Sequence, residues 1–139
     1  MRLFGMSKDM PPLQGTITSN FGERTSPVDG KDEIHNGIDI SCAVNTDVAA
    51  SYGGTIKEAG ENADYGKYII IDHNNGIETR YNHLNSFLVD QGVKVEKGDI
   101  IGKSGNTGKS TGPHLHFSLS INGTYENPQD YISFNGKVW

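Results

Sequence analysis

A single cysteine, Cys42, among 139 residues excludes an internal disulfide, so the fold has to be held by its own core rather than by covalent staples. No apolar run approaches the ~20 residues of a membrane-spanning helix. Residues 1–13, which carry Lys8 and Asp9, also lack the apolar stretch of a secretory signal. The expectation is a chain with no membrane span and no signal peptide. Its target, if outside the cell, is reached as part of a longer protein, on a virus particle or by a route that something else opens. Positive charge is scarce too: 12 Lys and Arg against 17 Asp and Glu leave a formal net charge of −5. A partner bound through phosphates needs clustered basic residues, so nucleic acid is not expected as a substrate.

What the chain has in quantity is glycine, 18 residues, together with many β-branched residues and few helix-period patterns. This combination predicts an all-β, mostly antiparallel domain with tight turns. Strands are expected at residues 16–19, 34–40, 55–59, 68–72, 78–82 and 114–121. A hairpin turn is expected at Asn74, Asn75 and Gly76, and one short helical turn over residues 84–90. The length fits one domain: a loose tail over residues 1–14, closed off by Pro11 and Pro12, and a functional domain over 15–139. A weak internal echo relates Val48, Ala49 and Ala50, running on to Gly60, with Val93, Lys94 and Val95, running on to Gly102. Lipoyl and biotinyl carriers show similar units but present a modifiable lysine at a hairpin tip, which is missing here, so the echo is read as sheet geometry.

Four of the five histidines fall in two compact neighbourhoods and one link between them. Along an extended strand, His35, Gly37 and Asp39 share one face while Ile34, Ile38 and Ile40 take the other. Gly37 between the two polar residues leaves room for an ion or a substrate. In the second element Leu115, Phe117, Leu119 and Ile121 form an apolar stripe, and His114, His116, Ser118 and Ser120 form the opposite face. One of the paired histidines can bind a metal while its neighbour handles protons. Imidazole nitrogen and carboxylate oxygen suit zinc, and three protein ligands leave a position for water, as in catalytic sites. Zinc brings the pKa of such a water to ~7, which points to hydrolysis, with His83 and His114 available as general base or oxyanion donor. His73, beside the hairpin turn, reads as structural, and Cys42 as a small core-facing residue. The Gly108, Lys109, Ser110 run resembles the end of a phosphate-binding loop, but Lys103 stands where that motif needs glycine, and the run leads into a strand.

These residues resemble the lysostaphin-type zinc endopeptidases, which cut peptide bonds in bacterial peptidoglycan. The likeness is carried by Phe21 to Arg24, His35 to Asp39, Tyr65 to His73, Tyr81 to Leu84, Gly92 to Gly102 and Ser104 to Phe117. It extends from about Gly15 to Pro128. The resemblance implies His35, Asp39 and His116 as zinc ligands and His83 with His114 as the catalytic pair, one drawing a proton from the attacking water and both stabilising the tetrahedral intermediate. It implies a small antiparallel β domain with a groove floored by the sheet, a duplicated hybrid or barrel-sandwich-like motif. Bacterial peptidoglycan is the implied partner, and an extracellular, cell-wall or virion-associated setting follows. Arg24, Asn36, Gly37 and Ser118 are the candidate substrate contacts. Two departures stand out. Members usually carry an acidic residue directly after the His-x-His-Phe unit, where this chain has Ser118. Some place a tyrosine ahead of the first ligand as an oxyanion donor, whereas residues 26–34 contain none and His83 or Arg24 takes that role. The alternative function is a noncatalytic wall-binding or regulatory module on the same fold; such relatives typically lose zinc ligands.

Overall fold

The computed structural model describes residues 12–13, 15–19, 21–25, 32–108 and 112–132; the side chains of residues 19, 23–25, 32–35 and 130 lie outside the described set. Most of the expected tail (1–11), together with Lys109 and Ser110, also lies outside it. The described strands are β1 (Thr16–Ser19), β2 (Gly22–Thr25), β3 (Asp32–His35), β4 (Ile38–Ser41), β5 (Asp47–Ala49) and β6 (Gly54–Asn62), then β7 (Gly66–Asp72), β8 (Ile77–Phe87), β9 (Lys94–Val95), β10 (Ile100–Ser104), β11 (His114–Ile121) and β12 (Thr124–Glu126). A 3₁₀ turn at Pro128–Asp130, capped by the Asn127 side chain, follows. The described residues contain no α-helix, as glycine-rich, β-branched sequence predicts.

One ten-stranded sheet runs β1-β4-β11-β8-β7-β6-β9, with β10 joining β5 and β8, and β12 lying on β11; β2 and β3 form a separate ribbon. All pairings are antiparallel. The internal echo has a structural counterpart, because β6 pairs with β9 while β5 pairs with β10, so each short-strand unit clasps the other.

The core follows the alternation of β11. Leu115, Phe117 and Leu119 are buried, along with Ile38 and Ile40 of β4 and Tyr81 of β8. Tyr81 and Phe117 meet edge to face with ring centroids 5.2 Å apart, a geometry that adds to their area burial. Cys42 packs against this core, as expected. The hairpin turn sits where predicted, with Asn74, Asn75 and Gly76 at φ of 73°, 56° and 79°.

Three expectations are corrected. Residues 34–40 are not one strand: the chain leaves the ribbon after His35 and enters the large sheet at Ile38. Residues 84–87 are strand rather than helical turn, because β8 continues past its β11 pairing to pair with β10 from Leu84 to Phe87. Leu13, placed in the loose tail, is 2% exposed, and the neighbouring Pro12 carbonyl accepts from the Ala49 amide at 2.6 Å.

His73 is built into the interior. Its Nδ1–H donates to the Gly53 carbonyl (2.8 Å) and Nε2 accepts from the Thr79 hydroxyl (2.7 Å). Thr79 Oγ1 in turn meets Tyr81 Oη at 2.8 Å, which accepts from the Ser51 amide. Burial lowers the His73 pKa, opposed by the Gly53 bond. The relay is satisfied with the imidazole neutral, so His73 is structural, as the sequence suggested.

Candidate functional site

β11 is the spine of the site because both of its neighbours add polar side chains to the same face. His116 stands opposite Asp39 of β4 on one side and Asn82 of β8 on the other, and Ser118 stands opposite Arg80. Partners directly opposite in a ladder project to the same face, so Asp39, His116 and Asn82 form a row across three strands. In that row Asp39 Oδ1 accepts from His116 Nδ1 at 3.0 Å, and His114 Nε2 lies 3.5 Å from the same oxygen. The three side chains are only 11–17% exposed. His114 Nδ1 donates to the Gly112 carbonyl at 2.8 Å, which fixes that ring with its Nε2 toward Asp39.

His83 reaches the group by a backbone device. Simple alternation along β8 sends residue 83 to the core face with Tyr81. Instead His83 has a φ of +65°, a left-handed conformation uncommon outside glycine and typical of strained functional positions. It coincides with the point where β8 changes partner from β11 to β10. The ring centroid comes to rest 4.9 Å from that of His114 and 6.2 Å from that of His116. Its Nδ1–H donates to the Thr107 carbonyl at 2.6 Å, leaving the Nε2 lone pair as the acceptor. Thr107 is itself tied down, its hydroxyl donating to the Leu84 carbonyl (2.7 Å) and accepting from the Lys67 amide (3.1 Å). Burial above all, then the neighbouring His114 and His116, pushes the His83 pKa down to about 4, against the Thr107 bond and Asp39. The ring is neutral at pH 7.

Asp39 and His116 fit a zinc ion by chemistry and spacing. Bonds of ~2.0–2.2 Å at tetrahedral angles put ligand atoms ~3.3 Å apart, close to the 3.0 Å separating Oδ1 and Nδ1. Among the described residues no three His, Cys, Asp or Glu complete a metal cage; the side chain of His35, the third expected ligand, lies outside the described set, and its backbone ends β3 opposite Gly22. Asn82 adds a second polar group to the row: it is 0% exposed, and neither its Oδ1 nor its Nδ2 has a hydrogen-bond partner among the described residues. Buried polar groups are otherwise almost always paired.

The remaining sequence candidates are distributed around this row. The Arg24 side chain lies outside the described set, and Asn36 is exposed beside the site. Gly37 is buried, and the space expected for an ion or substrate is taken by protein: a Cβ there would lie 2.3 Å from the Phe117 carbonyl oxygen and 3.0 Å from His116 Nε2. Its role in the geometry is close strand approach. Ser118 is buried on the site face and lines a cavity of about 20 Å³ with Arg80, Ser120 and Tyr125. Sequence reasoning missed Asn82, Thr107 and Arg80. Asn82 and Arg80 were accessible from the period-two pattern of β8 once its register with β11 was known, whereas Thr107 acts through its backbone and leaves no signal.

A family model described as Peptidase family M23 matches residues 33–128. The DD-carboxypeptidase/endopeptidase Mpg of Neisseria meningitidis serogroup B is 43% identical over 118 residues, which are 85% of this chain and 27% of that protein. A zinc-containing peptidase from Vibrio cholerae superposes with a TM-score of 0.81 at 32% identity, over 88% of this chain and 39% of the other. The catalytic domain of lysostaphin from Staphylococcus simulans does so with a TM-score of 0.76 at 34% identity, over 84% and 90%. The chain spans about a quarter of the length of curated relatives such as Mpg.

Proposed function

We propose that this chain, which belongs to peptidase family M23, is a zinc-dependent endopeptidase that hydrolyses peptide bonds of bacterial peptidoglycan in the cell wall or another extracellular setting. The observation that carries the reading is the convergence of His116 and His114 on one carboxylate oxygen, at 3.0 and 3.5 Å, beside the His83 ring. His35, Asp39 and His116 hold the metal. When bound, zinc supplies a Lewis acid that acidifies water and polarises a peptide carbonyl. His83, neutral at pH 7 with its pKa near 4, offers Nε2 to accept a proton and, once protonated, a donor for the leaving amine. His114, held by its Nδ1–H at the Gly112 carbonyl, presents Nε2 to the same space and, once that nitrogen is also protonated, donates to the negatively charged substrate oxygen. Asn36, Ser118 and Arg24 supply polar contacts along the groove, and Gly37 lets β4 and β11 close up so that Asp39 and His116 meet.

Digestion of purified peptidoglycan with the zinc-loaded chain, read by mass spectrometry of the fragments, tests this. Walls with glycine cross-bridges and walls with direct cross-links between D-residues are both needed, since the similar protein Mpg carries a DD-endopeptidase name. The expected result is peptide-bond cleavage that a chelator abolishes. His114→Ala is expected to keep zinc and lose roughly 10²-fold or more of turnover. Zinc-loaded protein that binds walls without cutting them would instead favour a wall-binding module.

A further inference from the structure

The same face of the sheet holds a cation that catalysis does not use. Arg80 of β8 lies one ladder step from the His116 row, directly opposite Ser118 of β11. Its guanidinium carbon sits 5.0 Å from the centroid of the Tyr65 ring and 5.7 Å from that of Tyr68, so two aromatic faces hold the charge in place. Among the described side chains no carboxylate pairs with it. The nearby acids have other partners: Glu58 accepts from the Tyr68 hydroxyl, and Glu78, which also lines the cavity beside Arg80, pairs with Lys57 at 2.6 Å. Beside Arg80 is the cavity of about 20 Å³, the space of one water or one carboxylate oxygen. Ser118, Ser120 and Tyr125 line it with hydroxyl-bearing side chains. Ser118, small and neutral, leaves the position across from Arg80 without a competing charge.

Resting on the peptidase reading above, we infer that Arg80 is a specificity-determining residue that binds a carboxylate of the peptide substrate. Two residues of strand separate Ser118 from His116, about 6.6–6.8 Å. The recognised carboxylate therefore lies within one to two residues of the scissile bond. Two sources supply that chemistry, the α-carboxylate of a peptide end and an acidic side chain. A guanidinium meets either one with paired N–H donors, which an ammonium cannot reproduce.

The test uses short peptides that match the cleaved segment, each made as carboxylate and as carboxamide, one pair differing at the C-terminus and one at an acidic side chain. Both kcat/KM and Kd are measured with the full zinc-loaded chain. Wild type is expected to prefer one carboxylate form by roughly tenfold or more, and the pair showing the preference identifies the source. In Arg80→Gln the ratio collapses toward one, and Arg80→Lys keeps only part of it. Ser118→Glu, which places a carboxylate directly across from the guanidinium, collapses the ratio without removing Arg80. Cleavage with no preference, or a preference that survives Arg80→Gln, overturns the subsite and leaves the peptidase reading standing. A carboxylate preference in Kd that Arg80→Gln abolishes, with no cleavage of any peptide, supports the subsite and overturns the peptidase reading.

Discussion

His83 shows how much of this site depends on the conformation of one residue. Its left-handed backbone turns the ring out of the core face, and the Thr107 carbonyl then fixes which nitrogen carries the proton. Thr107 keeps its own place through the hydroxyl shared between Leu84 and Lys67. Thr107→Val should therefore lower kcat roughly 10- to 100-fold, the usual effect of losing a residue that orients a site group, while the zinc content stays at that of wild type. Unchanged turnover would show that His83 is positioned without it. Gly37 makes a complementary prediction. A methyl group there meets the Phe117 carbonyl at 2.3 Å, and backbone cannot yield as a side-chain tip can. Gly37→Ala should cost about 1–3 kcal/mol of stability, measured by urea unfolding of the metal-free protein. At this scale the types of the site residues were legible, because imidazole and carboxylate at period-two spacing have few other uses. The buried amide of Asn82 and the cation of Arg80, neither with a polar partner among the described residues, were not, since each acquires meaning only from what lies opposite it in the ladder.

Among the elements, β11 was readable in full and β8 only in part. The alternation from His114 to Ile121 is uninterrupted, and Leu115, Phe117 and Leu119 of its apolar half are buried, so burial of one face settles orientation. β8 begins with the same regularity but changes partner midway, and pairing with β10 overrides the local signal that suggested a helical turn. The break between β3 and β4 was hidden for a similar reason: an unbroken period-two pattern over residues 34–40 cannot tell one strand from two that belong to different sheets. The relay beneath β7 and β8 yields a prediction in pH. His73 and His83 both have lowered pKa values, by burial first, the latter to about 4, whereas an unfolded histidine titrates near ~6.5. Below ~6.5 the unfolded chain binds protons that the folded chain refuses, so stability is whole above that pH and falls as pH drops toward about 4. Urea unfolding of metal-free protein at pH 7 and pH 5 should show this loss. His73→Gln should start about 1–3 kcal/mol less stable at pH 7 and lose less on acidification; equal losses in the two proteins would contradict the relay.

For the molecule as a whole, the fold brings two stretches 77 residues apart in sequence, at Asp39 and His116, onto adjacent strands, while β5 pairs with β10 and β6 with β9. Fold class could be read from composition and alternation, and spacing already singled out Asp39, His114 and His116, which the fold brings together. The strand order could not, because nothing local states that β11 lies between β4 and β8. The central claim is that His35, Asp39 and His116 hold one zinc while His114, on the same strand as His116, does not. The most direct test is the zinc content per chain of purified wild type and of the His35→Ala, Asp39→Ala, His116→Ala and His114→Ala variants, each checked for folding by circular dichroism. A single equivalent in wild type and His114→Ala, with little in the other three, is the predicted result. Full zinc in folded His35→Ala or His116→Ala, or its loss from His114→Ala, would contradict the account.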